Sequence, residues 1–404
     1  MQEMTRTTCR AAAFSFFILQ LLTGCNKSPT DKQNEVVSPT ITSIRPTNAK
    51  SGDTVTVFGK NLPLDKSSIT ITINKKPLNI ILQTKDSLEF TVPPSVGSGP
   101  LAIDASGASF VGPEFTYDWK VIVTTVAGTG DVGNQNGPPN QASFYCPWGI
   151  VCDSNGDLYI ADTYNRLIRK ISGTDNTVYS TPIVVQGFFA SPYNLAINTN
   201  SGSLYVTDFN TNVLKISADG NQSVIFIDNM ALAGIALSAD GHLFVANNTQ
   251  GTITKIDTNG QNRTDFASGL RTPRNMFFDP EGSLYVSAYS TSLLAPVVNK
   301  IDNAGNVSVV ASDNKSQGWE VVMNTAGEFF EADHVANVIR RIDKNKKSTI
   351  IAGSGVADDV DGIGLLASFN GPQGIAIDSK GDLYVTTFNY DNNKGNKVRK
   401  IHFE

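Results

Sequence analysis

The sequence predicts an all-β chain in two folded parts, an immunoglobulin-like sandwich followed by a six-bladed β-propeller. Three observations carry this. Apolar residues come in short Val/Ile/Leu/Tyr runs separated by Gly, Asn, Ser and Thr, and only 17% of residues are charged, which favours strands and turns over amphipathic helices. About seven alternating strands fall within roughly 80 residues of the N-terminal half, the density of a sandwich. A unit of roughly 40 to 50 residues then recurs six times, the period of a propeller blade. At 404 residues the chain is long enough for two or three domains.

Residues 1–24 read as a signal peptide. Arg6 and Arg10 precede the apolar stretch Ala11 to Leu22, which is too short to span a bilayer. The stretch ends Leu22-Thr23-Gly24-Cys25 and resembles a bacterial lipobox. That resemblance implies lipidation at Cys25, which then becomes the first mature residue. Asn26 stands where many lipoproteins retained at the inner membrane carry Asp, so the expected address is the outer membrane, possession of a lipid anchor being its only membrane contact. Residues 25–37 are polar, with Pro29, Asp31 and Lys32, and read as a flexible tether.

Residues 38–117 form the first folded domain. Pro39 to Pro46 and Ser51 to Leu62 alternate in hydrophobicity around the turn residues Gly52-Asp53. Further strands are predicted at Ile69 to Ile73, Leu78 to Gln83, Ser87 to Val92, Pro100 to Asp104 and Glu114 to Tyr117. A strand ending in Pro46, the Gly52-Asp53 turn and Gly59-Lys60-Asn61-Leu62 resemble the opening of an IPT/TIG domain. Such domains serve as spacers or docking modules, and no residue here points to chemistry.

From residue 118 to 404 six segments align. Pro147-Trp148-Gly149-Ile150 with Gly156-Asp157-Leu158-Tyr159 is followed by counterparts beginning at Pro192, Leu232, Pro273, Gly318 and Pro372. Third strands such as Leu167 to Ile171 and Val338 to Ile342 complete the pattern, which resembles the NHL repeat. The sixth unit ends at its third strand, while Val121 to Gly128 precedes the first without a partner. The N-terminal strand is therefore expected to close blade six, removing edges that would invite aggregation. Cys146 and Cys152 read as one extended strand, where six steps of about 3.3 Å place them beyond disulfide reach or a shared metal.

In four-stranded blades, second-to-third and fourth-to-first connections share one face. That face carries the long segments Thr129 to Tyr145, Ser287 to Pro296, Val356 to Gly371 and Phe388 to Asn396, and function concentrates on long loops held by a scaffold. At its inner rim the sequence places Trp148, Tyr193, Asn194, Arg274, Asn275, Trp319, Glu320 and Gln373 as a candidate ligand-binding set. Aromatic faces stack on sugar C–H surfaces, and amide, guanidinium and carboxylate groups fix hydroxyls. Tyr164, Phe209, Tyr289, Phe388 and Tyr390 would widen this platform, although aromatic residues also pack blade against blade.

No catalytic residue, cofactor or metal site is expected. The folded part holds only His242, His334 and His402, which cannot build the His-rich zinc site of NHL-type amidating lyases. Asp358-Asp359-Val360-Asp361-Gly362 lacks the ligand spacing of an EF-hand and matches Asn134-Gln135-Asn136-Gly137 before blade one, so it reads as an inter-blade turn. Asp162, Asp208 and Asp333 read as caps of the loops that follow them. The net charge of −5 includes no basic block, which argues against nucleic acid. The architecture resembles surface lipoproteins of bacterial glycan-uptake systems, implying an extracellular glycan ligand and an outer-membrane transport partner. Two alternatives stay open: a lactonase-like hydrolase with a metal on Asn194, Asn275 and Glu320, and a protein-binding scaffold or adhesion module.

Overall fold

The computed structural model describes residues 39–93, 96–105, 108–182, 191–227, 231–290, 293, 295–312, 318 and 320–404. The N-terminal domain is a sandwich of two sheets. Thr40–Arg45, Thr54–Lys60, Ser87–Thr91 and Ile80–Gln83 form one, and Asn48–Ala49, Ala108–Tyr117, Gly99–Ala105, Ile69–Ile73 and Lys76–Pro77 form the other. Alternation decides the packing, since Val55 and Val57 point inward while Thr54 and Phe58 point out. Val55, Ile71, Leu88, Phe90 and Phe115 fill the space between the sheets, each contributing about 1.5–3 kcal/mol by burial.

Six sheets follow. Blade one comprises Pro147–Cys152, Leu158–Asp162, Leu167–Ile171 and Val178–Pro182. The innermost strands of blades two to six are Leu195–Asn198, Leu232–Leu237, Met276–Phe278, Glu320–Met323 and Pro372–Ile377. Val121–Ala127 pairs antiparallel with Lys394–Phe403, so the strand preceding blade one completes blade six as the sequence requires. A short outer strand, Gly362–Ile363, adds to that edge.

The junction of the two domains is built around Trp119. Its ring lies edge-on to Tyr117 at 4.2 Å and to Phe403 at 5.1 Å between centroids, bridging the sandwich core and the core of blades five and six. Asn48 donates to Asp118 at 2.8 Å, and the Lys120 and Glu404 backbones exchange two hydrogen bonds.

Two long inter-blade loops share one device. Arg169, fully buried, donates to Asp162 and to the carbonyls of Ser143 and Gln135, all at 2.7 Å, and to Asn136 Oδ1 at 3.0 Å. Arg399 does the same before blade six, reaching Asp359, Asp361 and the carbonyls of Val360 and Ser368. Each guanidinium lies over a phenylalanine, Phe144 or Phe369. The acidic Asp358–Asp361 run is thus the counterpart of Asn134–Gly137, its carboxylates serving Arg399. Asp208 caps its loop by accepting from the Asn210 and Asn212 N–H groups. Asp333 caps its loop through the Ala336 N–H and also binds Arg340, whereas Asp162 makes no backbone cap of the loop that follows; it accepts from the Tyr145 N–H and the Asn165 side chain and binds Arg169.

Two local expectations are corrected. Ser287 to Pro296 and Phe388 to Asn396 are hairpins rather than long loops, because Leu284–Ser290 and Ala295–Ile301 stay paired up to Ser290 and Ala295, and Leu383–Asn389 and Lys394–Phe403 up to Asn389 and Lys394. Cys146 lies outside the strand, at φ +56°. Both Cys146 and Cys152 are free thiols.

Removing one member of a buried ion pair strands the other, at about 3–5 kcal/mol. Arg169→Met should lower unfolding stability in urea by that amount; a change below about 1 kcal/mol would mean that the loop is held by other contacts.

Candidate functional site

The rim is assembled by contacts from blade to blade. Hydroxyls at the ends of second strands donate to carbonyls opening the next inner strand: Thr386 to Trp148 at 2.7 Å, Thr163 to Pro192 at 2.8 Å, and Thr207 to Ala233 at 2.5 Å. Inner strands approach so closely that a Cβ at Gly149, Gly234 or Gly374 would stand 2.5, 2.4 or 2.1 Å from the carbonyl oxygen of Tyr193, Arg274 or Trp148. Blades one, three and six therefore need glycine at this level. Blades two, four and five carry Asn194, Asn275 and Glu320 there.

One residue earlier in each strand stand Trp148, Tyr193, Ala233, Arg274 and Gln373; Trp319 lies outside the described residues. Trp148 and Tyr193 are buried, their rings 5.0 Å apart and tilted by 31°. Arg274 is half-buried, with Nη1 3.5 Å from the Tyr193 hydroxyl. Gln373 is buried and donates to the Phe388 carbonyl at 3.0 Å, an anchoring contact.

Trp148, Asn194, Arg274 and Asn275 surround the Glu320 carboxyl. Burial pushes that carboxyl up to about 8, against the opposing charge of Arg274 and the polar groups of Asn275, Trp148 and Asn194. Trp148 Nε1 and Asn194 Nδ2 are buried and form no well-directed hydrogen bond, but with Asn275 they stand close enough to the Glu320 carboxyl to act on it as donors, so the ring closes on itself. The other Asn194 amide atom is committed, its Oδ1 accepting from the Leu195 N–H at 2.8 Å. A hard cation fits poorly here, because only Asn275 and Glu320 offer uncommitted oxygens and a guanidinium stands beside them. Among the described residues there is no cluster of three or more His, Cys, Asp or Glu able to hold a metal. Burial also pushes the Cys146 and Cys152 thiols up to about 12, so neither supplies a thiolate nucleophile. Beyond this ring a channel of about 360 Å³ continues between the inner strands, lined in part by Ile150, Leu195, Ile235 and Met276.

Beside the polar ring, aromatic contacts run unbroken across blades six, one and two. Tyr193 packs on Phe209 at 4.4 Å, Trp148 reaches Tyr390 at 6.2 Å, and Phe388 joins Tyr390 to Tyr164 and Tyr145. Tyr164, Phe209 and Tyr390 are 48%, 39% and 51% exposed, so three faces of this cluster meet solvent. Phe388 is buried beneath them, and Tyr289 lies apart under Arg271. Tyr145, 4.9 Å from Tyr164, is a member that sequence reasoning missed, since it precedes the repeated motif.

The IPT/TIG domain model matches residues 39–117 and the NHL repeat model matches residues 144–171. The chain carries an IPT/TIG domain and an NHL repeat. The NHL-type propeller and its IPT/TIG domain together resemble a protein of unknown function from Bacteroides thetaiotaomicron, at 20% identity and TM-score 0.64, over 92% of this chain and 99% of that one. An auxiliary nutrient binding protein from the same organism aligns at 18% identity and TM-score 0.56, over 91% of this chain and 98% of its own. These likenesses establish a shared fold. Teneurin-3 from Danio rerio is 22% identical over 334 residues, 71% of this chain but 11% of its own length. The chain spans between 9% and 24% of the curated relatives it matches.

An unfolded glutamate titrates near 4.3, so the folded protein, with Glu320 at about 8, binds the proton more tightly. The resulting contribution is fully present below about pH 4.3 and is lost as pH rises toward 8. Across that window wild-type stability should fall by a few kcal/mol relative to Glu320→Gln, as read by urea unfolding at several pH values. Parallel pH profiles for the two proteins would show that Glu320 ionises without penalty.

Proposed function

We propose that this chain is a lipid-anchored surface protein of the outer membrane that binds a nutrient glycan on the loop-rich face of its propeller. The observation carrying this reading is the aromatic cluster of Tyr145, Trp148, Tyr164, Tyr193, Phe209, Phe388 and Tyr390, partly open to solvent and adjoining a polar ring. Exposed aromatic faces held by buried rings present apolar area at little entropic cost, and sugar C–H faces match them. The full-length fold likeness to an auxiliary nutrient binding protein supports a nutrient ligand. The Leu22-Thr23-Gly24-Cys25 sequence supports anchoring, and an outer-membrane transporter is the kind of partner such a receptor would serve.

Stacking on an aromatic ring contributes about 0.5–1.5 kcal/mol beyond area burial. The triple substitution Tyr164→Ala, Phe209→Ala, Tyr390→Ala should therefore weaken polysaccharide binding by at least about tenfold in affinity electrophoresis or calorimetry. Failure of the wild-type protein to bind any of a broad set of neutral and acidic polysaccharides would overturn the proposal. Anchoring is tested separately: Cys25→Ala should abolish radiolabelled palmitate incorporation and release the protein from the membrane fraction.

A further inference from the structure

We infer that a second copy of this chain docks on the outer rim of the propeller, against an apolar patch at the seam of blades five and six. The inference does not depend on the glycan reading. Ile350, Val356, Val360, Ile363, Leu365 and Leu366 are 39% to 81% exposed. They are six of the 20 large apolar side chains exposed among the described residues, and they fall within 17 residues of one another. Single exposed apolar side chains are ordinary on a protein surface, whereas a cluster of them marks an interaction site.

The propeller itself supplies a control. Thr124–Pro147, which leads into blade one, and Thr349–Pro372, which leads into blade six, align without a gap and share Ala-Ser-Phe at residues 142–144 and 367–369. Their backbones are held alike. Gln135 and Val360 each exchange two hydrogen bonds with the serine of that motif, the Thr129 and Ser354 N–H groups donate to its alanine carbonyl, and Val132 and Ala357 bridge to its phenylalanine. At five exposed positions the two loops part. Asp131, Gln135, Pro138, Asn140 and Gln141 stand where the second loop has Val356, Val360, Ile363, Leu365 and Leu366. The first loop shows that polar residues satisfy this backbone, so folding of the chain does not account for the apolar ones. Association with another surface does.

The backbone at the patch is open as well. Gly362–Ile363 is the outermost strand of blade six, paired on one side only, with Ile122 and Val123. An edge strand is a template for further pairing unless proline or charge blunts it. After Gly137 the first loop has Pro138-Pro139, which carry no N–H; after Gly362 the second has Ile363-Gly364. The turn Gly364–Leu366 folds back on Ser348–Ala352 of blade five, the Gly353 N–H donating to the Gly364 carbonyl at 3.2 Å. Leu365 and Leu366 thereby come alongside the strand that carries Ile350. A two-fold axis at this edge lays Gly362–Ile363 antiparallel to itself and apolar side chains against their own copies, the self-complementary arrangement of an isologous pair. Six partly exposed side chains supply the apolar centre of an interface and not the whole of the roughly 800 Å² per partner that a stable dimer uses. The pair is therefore weak.

The test uses the chain from Asn26 onward, which keeps both folded domains whole, with mass measured by sedimentation equilibrium from about 1 to 200 µM. The inference expects a monomer–dimer equilibrium with its midpoint in the micromolar range. Val356→Asp, Val360→Gln, Leu365→Asn and Leu366→Gln together give the second loop the first loop's residues and should weaken association at least about tenfold. The urea midpoint of that variant should stay at the wild-type value, since the first loop carries these residues on the same backbone. If it falls, Leu366→Gln alone decides, at a position 81% exposed where no core packing is lost, and should weaken association about threefold or more. A monomer at every concentration would overturn the inference. A dimer that holds as tightly in these variants as in the wild type would also overturn it, by placing the contact elsewhere.

Discussion

The pairing of Val121–Ala127 with Lys394–Phe403 is the contact on which the propeller depends. Without it, blade six would expose Lys394–Phe403 as an unpaired edge. The pairing also reaches beyond the ring. The closing strand begins directly after the last strand of the IPT/TIG domain, and Trp119 between them packs into both cores. Closure and the attachment of the N-terminal domain are therefore one structural event, set by a single stretch of chain.

Once the ring is closed, its radius dictates the chemistry at the centre. Adjacent inner strands come within Cβ contact of each other's carbonyls, which removes side chains from three blades and leaves the axis to Asn194, Asn275 and Glu320. Threonine hydroxyls fix the carbonyls that flank this level. The surrounding scaffold thus holds a buried carboxyl beside Arg274 and several incompletely paired polar atoms, an arrangement that costs stability.

Much of this architecture is legible in the sequence because four blades open their second strand with Gly-x-Leu-Tyr and the other two with the close variants Gly241-His242-Leu243-Phe244 and Gly327-Glu328-Phe329-Phe330. The unpaired N-terminal strand and the truncated sixth unit together imply the closure that the structure displays. What the sequence conceals is depth. Trp148 and Tyr193 read as rim aromatics, yet ring convergence buries both, and the exposed faces belong to Tyr164, Phe209 and Tyr390. The Arg169 and Arg399 clamps also escape a reading blade by blade, although a signal exists. Ile168-Arg169-Lys170-Ile171, Ile339-Arg340-Arg341-Ile342 and Val398-Arg399-Lys400-Ile401 place Arg where blades two, three and four have Leu214, Thr254 and Asn299. Two of the three Arg blades follow the long inter-blade loops, and the guanidinium supplies the donors that such loops need for their inward-facing carbonyls.

The two halves of the proposed site have different physical tasks. Aromatic area is non-directional, so it tolerates many sugars and supplies affinity in small increments. The buried ring of Trp148, Asn194 and Asn275 is directional, but its groups are turned onto the Glu320 carboxyl and hold that level in one geometry from within. Neither layer contains an activated nucleophile, since burial keeps both thiols protonated and the one central carboxyl faces a guanidinium.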